Sequence, residues 1–278
     1  MIKPNGVIAY LTDVGCRDPY VGSIKGITLS ICLQAKIIDI THEIPSFDIY
    51  EASFTLLLTY SYFPPGTVFV VVVVPGVGVS EKPILIVTKN YFFIGPNNGV
   101  LAAAADDDSI EQVIALDSIA YFKKKALETF HGRDIFAPAA AWLVCGVSLN
   151  SLGSPMDPAE VTKLDMRLGH QNSENSVGCT ELRVQHADKY GNIILSEYFR
   201  NLAEELHIKL SDDVRVFAGG TAAKASVAKS FSDIPKNTLI LYKNSFGFAE
   251  LAINQGSAQN LLKIGKKDLV RICRQGFK

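Results

Sequence analysis

The sequence predicts two domains: an α/β N-terminal domain of three layers with a mostly parallel sheet, and a smaller C-terminal antiparallel β domain. Three observations predict this. Strand and helix signals alternate through the first half of the 278 residues, the pattern of a layered α/β domain. Residues 67–74 (TVFVVVVV) are an unbroken run of β-branched and aromatic side chains, which suits a central strand covered on both faces. Past a polar, Gly/Pro/Ser/Asn-rich region, short strand candidates follow one another with turns between them, the texture of a small β domain. The expected boundaries are 1–155 for the α/β domain, 156–178 for a linker and 179–278 for the β domain.

The elements follow in order. Residues 7–11 are a short apolar run before a turn-rich stretch at 12–19. Residues 21–34 carry helical spacing, with Ile24, Ile27, Leu29 and Ile31 interrupted by Lys25 and Ser30. Residues 36–40 predict a strand and 50–60 a helix. After the central run, 84–88 and 91–94 predict strands on either side of a hairpin-like Lys89-Asn90 turn, and 98–105 and 136–147 predict short helices. The stretches 150–158 (NSLGSPMDP) and 169–178 (GHQNSENSVG) are linker-like. Strand candidates then fall at 181–185, 192–195, 214–217, 238–242, 247–253 and 269–273.

Composition narrows the function classes. Hydrophobic residues are 48% and charged residues 20%, a chain built to fold rather than to stay disordered. With 27 Lys plus Arg against 28 Asp plus Glu, the formal charge is −1, which argues against nucleic acid as a partner. No apolar run approaches the ~20 residues of a membrane span, so no membrane association is expected. The N-terminus shows no secretory signal. The five cysteines (16, 32, 145, 179 and 273) contain no CxxC pair and predict reduced, buried thiols in a cytoplasmic protein.

Polar clusters follow the predicted strands, where α/β sheets bind ligands. Asp13 sits at the exit of the first strand; it suits either a carboxylate accepting two hydrogen bonds from a vicinal diol or an Asx turn, and Asp18 suits the cap of the helix that follows. The Pro75-Gly76-Val77-Gly78 turn follows the central strand but matches no phosphate-binding motif. Gly95-Pro96-Asn97-Asn98-Gly99 opens a helix, with Asn98 as its N-cap. The densest polar cluster is 129–138, Thr129-Phe130-His131-Gly132-Arg133-Asp134 leading into an apolar helix. His131 there suits a general base, a proton relay or a structural donor, and Arg133–Asp134 an ion pair. Asp188-Lys189-Tyr190-Gly191-Asn192, Asn244-Ser245-Phe246-Gly247 and Asn254-Gln255-Gly256-Ser257 read as turns. No histidine or cysteine spacing suggests a metal site.

Taken together, these segments resemble one family, the S-adenosyl-L-methionine (SAM) hydroxide adenosyltransferases, also called SAM hydrolases, to which the fluorinases and chlorinases are related. The resemblance rests on 11–26 (LTDVGCRDPYVGSIKG), 39–48 (DITHEIPSFD), 64–78 (PPGTVFVVVVVPGVG), 95–101 (GPNNGVL), 129–141 (TFHGRDIFAPAAA), 188–192 (DKYGN), 244–258 (NSFGFAELAINQGSA) and the 265–268 turn, in one order over nearly the whole chain. It implies a two-domain fold and a homotrimer, with SAM or adenosine held at subunit interfaces. Asp13 then matches the ribose-diol carboxylate, with Asp18 on the same loop. Thr129, Phe130 and Gly132 match the stretch near the reacting carbon. Asp188, Tyr190, Asn192, Ser245 and Phe246 match positions around the methionine end or the adenosine, and Asn254 and Gln255 the adenine-contacting turn. His131 matches the histidine proposed to activate water, and SAM is the substrate with no cofactor and no metal.

The departures from the family pattern are specific. The hydrolase branch usually carries aspartate where Val74 stands and arginine where Glu81 stands; Lys82 offers a basic group one residue later. The fluorinases carry a serine where Gly132 stands and an inserted loop that 80–95 has no room for. The resemblance therefore implies a hydrolase that gives adenosine and L-methionine, with a halide-using transferase and a non-catalytic SAM or adenosine binder as the alternatives.

Overall fold

The computed structural model describes residues 2–74, 81–122, 130–165 and 178–275. The chain divides into two compact units, Met1–Leu164 and Asp165–Lys278.

The first unit is built on seven strands: β1 (Val7–Thr12), β2 (Lys36–Thr41), β3 (Val68–Val72), β4 (Pro83–Thr88), β5 (Phe92–Pro96), β6 (Ile110–Ala115) and β7 (Ser154–Met156). Their order across the sheet is β2-β1-β3-β5-β4-β6-β7. The half that carries β2, β1, β3 and β5 is parallel, as expected, while the ladders β5–β4, β4–β6 and β6–β7 are antiparallel. The reversal comes from the Lys89-Asn90 turn, which folds β4 back on β5. Asp108 fixes that turn by accepting from Thr88 Oγ1 at 2.6 Å and from the Asn90 backbone and side-chain amides at 2.7 Å each.

Helices cover both faces of this sheet. α1 (Tyr20–Ile31) and, on the same face, the helix Ala137–Val144 pack on Ile8, Tyr10, Val68 and Val70. α2 (Ile49–Thr59) and α3 (Ala102–Asp107) pack on Ala9, Leu11, Phe69 and Val71. The helix Ala137–Val144 is α4. β3 is buried along its whole length, which explains its apolarity on both faces; at roughly 1.5–3 kcal/mol per buried Val or Phe side chain, it is a main source of stability. β6 was not foreseen, since Glu111 and Gln112 break its apolar pattern. α3 also starts later than expected. Asn98 does not cap it: its Nδ2 donates to Val73 O at 2.9 Å and its Oδ1 accepts from Val100 N at 3.2 Å, so it ties the turn to the end of the central strand.

The second unit is a closed barrel of β8 (Cys179–Ala187), β9 (Ile193–Tyr198), β10 (Asp213–Ala218), β11 (Thr221–Val227), β12 (Leu239–Lys243), β13 (Phe248–Ile253) and β14 (Leu269–Arg274). The order is β10-β11-β12-β13-β9-β8-β14, and only the β11–β12 ladder is parallel. Alternate side chains such as Leu182, Val184, Leu195, Val216, Leu241 and Leu251 fill its interior. β11 (TAAKASV) escaped prediction because alanine and lysine have little strand preference. Its local signal is the Gly219-Gly220 turn, with positive φ at both glycines, which is the two-residue hairpin geometry. Among the described residues no helix is long and apolar enough to cross a membrane.

The cysteines correct the expectation of reduced thiols. Cys32 pairs with Cys145, joining the ends of α1 and α4, and Cys179 pairs with Cys273 across the β8–β14 ladder; only Cys16 is free, and it is exposed. Partners 113 and 94 residues apart leave no trace in the spacing that sequence reading uses. A disulfide typically stabilises by about 2–4 kcal/mol. The double variant C179S/C273S is therefore expected to unfold in urea with a free energy lower by that amount under non-reducing conditions; a midpoint equal to wild type would mean that this pair does not close the barrel.

Candidate active site

β1 and β3 run side by side and in the same direction, so their carboxyl ends open at one place. A cavity of about 350 Å³ lies there, a size typical of small-molecule sites. Val14, Val72 and Val74 give it an apolar floor, Phe47 and Phe130 form walls, and Asp13, Ser46, Tyr20 and His131 supply its polar groups. Asp13 enters from the β1 exit, as the sequence predicts. His131 and Gly132 enter from a π-helical turn (Gly132–Phe136) that leads into α4; such turns commonly mark functional sites.

Asp13 is held rather than free. The Phe47 amide donates to its Oδ2 at 2.8 Å. Phe47 sits in the left-handed region with φ 67°, an unfavourable conformation for an aromatic residue, and its side chain is 61% exposed. Strain of this kind persists where surrounding contacts over-determine it, as at ligand sites. Here those contacts join the β1 and β2 exits: Gly15 N donates to His42 O at 2.7 Å, Ile44 N to Thr12 O at 3.3 Å, and Cys16 N to Glu43 Oε1 at 3.0 Å. Burial raises the Asp13 carboxyl above its usual range, and the bond from Phe47 opposes that only in part.

The opposite wall is equally constrained. The Phe130 ring takes the edge of Tyr20 at 5.4 Å between centroids and the Arg133 guanidinium at 5.2 Å. Arg133 is itself anchored on Asp134 through two bonds of 2.8 and 2.9 Å, the ion pair foreseen from sequence. Gly132 packs closely on this wall: a Cβ there would lie 3.3 Å from the Phe130 ring and 3.5 Å from Val72. The His131 ring stands 6.5 Å from Phe136, nearly perpendicular to it, and has no hydrogen-bond partner among the described residues.

The other expected residues are placed as follows. Val74 lines the cavity beside His131. Glu81 and Lys82 do not line it. Burial raises the Glu81 carboxyl, with Asn98 opposing, while Lys82 faces Glu160 at 3.8 Å on the surface and offers the cavity no basic group. Asp18 is exposed, does not line the cavity and does not cap α1, whose cap position is Pro19. Thr129 and the Pro75-Gly76-Val77-Gly78 turn lie outside the described residues. Val14, Tyr20, Ser46, Phe47 and Val72 were missed as lining residues. The segment holding Ser46 and Phe47 was visible as a strand exit, but nothing local shows that its backbone reaches Asp13.

In the barrel, the expected binding residues brace turns. Asp188 Oδ1 accepts from Tyr190 N at 2.8 Å and Asn192 N at 2.9 Å, and its Oδ2 from Asn192 Nδ2 at 2.9 Å. Tyr190 is 66% exposed at the tip. Gly191 has φ +80°, and a Cβ there would collide with Ser257. Ser245 and Phe246 are exposed on a turn fixed by Asn244, which accepts from Phe246 N and Phe248 N at 3.0 Å each and donates to Glu250 Oε2 at 3.0 Å. Tyr242 holds the other Glu250 oxygen; burial raises the Glu250 carboxyl, and Asp188 adds to the shift. Asn254 Nδ2 donates to Phe231 O and Ile234 O at 2.9 Å each, while Gln255 is exposed with φ 61°.

The profile of the SAM hydroxide adenosyltransferase N-terminal domain matches residues 8–153, and that of the SAM hydroxide adenosyltransferase C-terminal domain matches residues 182–271. The chain belongs to the SAM hydroxide adenosyltransferase family. Among its relatives, the (R)-S-adenosyl-L-methionine hydrolase of Methanocaldococcus jannaschii is 34% identical over 272 residues, covering 96% of this chain and 95% of that protein. The protein of the same name from Salinispora arenicola is 30% identical, covering 95% and 97%. A fluorinase from Actinopolyspora mzabensis is 23% identical, covering 96% and 97%. Among solved structures, an uncharacterized conserved protein from Thermotoga maritima matches with a TM-score of 0.87 at 38% identity, covering 96% of this chain and all of that one.

In this SAM hydroxide adenosyltransferase family member, the Asp13 environment sets a measurable conflict. A carboxyl raised by burial is destabilising once ionised: stability is fully present below its ordinary pKa and is lost as pH rises through the raised value. Asp13→Asn keeps an acceptor for Phe47 N. It is expected to raise the melting midpoint at neutral pH. Calorimetric scans across pH should show this gain vanish below about pH 4, where the wild-type carboxyl is protonated in both states.

Proposed function

We propose that the protein hydrolyses SAM, with water attacking C5′ of the ribose to give adenosine and L-methionine. One observation carries this reading: a held carboxylate, Asp13, and an imidazole, His131, share one cavity over an apolar floor. Asp13 accepts the 2′ and 3′ hydroxyls of the ribose. His131, with Phe130 and Gly132, lies at the reacting carbon. The water oxygen bonds to C5′ as the C5′–S bond breaks. The electron pair stays on sulfur, methionine leaves as a neutral thioether, and the proton of water passes to His131 and then to solvent.

A sulfonium leaving group needs no acid to assist it and no cofactor. The protein's task is to align one water and exclude the rest, which the rigid walls at Phe47 and Phe130 and the floor at Val72 and Val74 serve. The hydrolase names of the more identical relatives support water as nucleophile over a halide. Within this reading the barrel supplies the methionine and adenine contacts through Asp188, Tyr190, Asn192, Ser245, Phe246, Asn254 and Gln255. A neighbouring subunit of a homotrimer contributes them, an arrangement that light scattering tests.

Incubation of the purified protein with SAM, with and without chloride, followed by chromatography tests the reaction. Adenosine and methionine are expected; 5′-chloroadenosine would identify a halide transferase, and intact SAM with saturable binding a non-catalytic binder. His131→Ala should lower turnover by about 100-fold, the low end for a positioned base, because Val74 gives the imidazole no carboxylate partner. Adenosine affinity should stay near wild type. A loss under about threefold would remove His131 from the chemistry and leave alignment alone.

A further inference from the structure

We infer that His42 is a positioning residue for Asp13, acting through Thr12 at the end of a polar chain that starts at Lys25. The inference rests on the proposed role of Asp13 as the ribose acceptor. Lys25 Nζ lies 2.6 Å from Asp39 Oδ2, and Asp39 Oδ1 lies 3.1 Å from His42 Nε2. On the other side of the ring, His42 Nδ1 lies 2.8 Å from Thr12 Oγ1, which accepts from Val14 N at 3.4 Å. His42 is 3% exposed and Thr12 fully buried, so neither exchanges these partners for water.

Burial raises the Asp39 carboxyl, but the contacts of Lys25 and His42 outweigh it and hold the group below its usual range, so it stays charged. Asp39 therefore acts on the ring as a nearby charge: its Oδ1 approaches Nε2 without making a hydrogen bond, and Nε2 has no other partner among the described residues. The hydrogen bond that holds the ring is the one between Nδ1 and Thr12 Oγ1, and Thr12 Oγ1 also accepts the Val14 amide.

A Thr–His–Asp set of this kind invites a nucleophilic role, and its burial rules that out. Thr12 Oγ1 is closed off in the core and does not line the cavity, so a substrate has no path to it. What the chain reaches is the backbone around Asp13. Val14 N follows Asp13 directly, Thr12 O before it accepts from Ile44 N, and His42 O accepts from Gly15 N. The same 42–47 segment supplies Phe47 N to the Asp13 carboxylate. His42 thus anchors the segment that aims Asp13 and the loop on which Asp13 stands.

Adenosine affinity measured by calorimetry on the full chain tests this in wild type, Asp13→Ala, His42→Leu, Thr12→Val, the His42→Leu/Thr12→Val double variant and His42→Asn. Loss of the anchor is expected to weaken binding about tenfold, the size of one lost buried hydrogen bond. His42→Leu and Thr12→Val should lose similar amounts, and the double variant no more than either, because both remove one contact. His42→Asn puts an amide group where Nδ1 stood and should recover most of the affinity. A purely structural histidine would lower the melting midpoint without this pattern of non-additivity and rescue. If His42→Leu does not fold, Thr12→Val and His42→Asn carry the comparison. Wild-type affinity in His42→Leu or Thr12→Val, alongside a loss in Asp13→Ala, would overturn the inference and leave the ribose role of Asp13 standing. Undiminished affinity in Asp13→Ala would overturn that role, and the inference with it.

Discussion

Burial of β3 on both faces is the constraint on which the first unit depends. A strand with helices over both faces holds no polar side chain along its length, so Val68, Phe69, Val70, Val71 and Val72 are all apolar and all buried. Polar chemistry is displaced to the strand ends. Because β1 is parallel to β3 and in register with it, the carboxyl end of one delivers Asp13 beside Val72 and Val74 at the end of the other. The same packing brings α4 against the sheet, and the π-helical turn before α4 swings His131 and Gly132 over the opening.

The site is rigid because its parts are fixed by groups outside it. Asp13 depends on Phe47 N, Phe47 on the segment that crosses from β2, and that segment on backbone bonds to the β1 exit. Phe130 depends on Tyr20 and Arg133, and Arg133 on Asp134. A half-buried carboxylate and a left-handed phenylalanine both cost stability in the free protein. The apolar layers beneath offset that cost, and the strained groups remain where a ligand can use them.

In the barrel, bracing a turn and binding a ligand are compatible tasks for one residue. Asp188 satisfies two backbone amides and the Asn192 side chain, which fixes the tip carrying Tyr190. Asn244 does the same for the tip carrying Ser245 and Phe246, and Glu250 with Tyr242 holds Asn244 from below. The exposed residues at those tips owe their orientation to the buried polar ones behind them. A residue-by-residue reading sees only turn-formers in such segments; the hydrogen-bond partners show why each turn has one shape.

By itself, the sequence determined the alternation of strands and helices in the first half, the doubly covered central strand, the short-strand texture of the second half and the motif order that marks the family. These are properties of local pattern: periodicity, β-branching and turn residues act over a few positions and are written in neighbouring letters. Tertiary structure alone decided the parallel β11–β12 ladder, the pairing of Cys32 with Cys145 and of Cys179 with Cys273, and the removal of Asn98 from a helix cap to the end of β3. It also decided that Phe47 reaches Asp13, that His42 joins Thr12 to Asp39, and that Asp18 and Lys82 stay outside the cavity. Each of these is a contact between groups far apart along the chain or a choice among several possible partners. Its energy depends on distance and burial in three dimensions, which no local pattern of residues specifies.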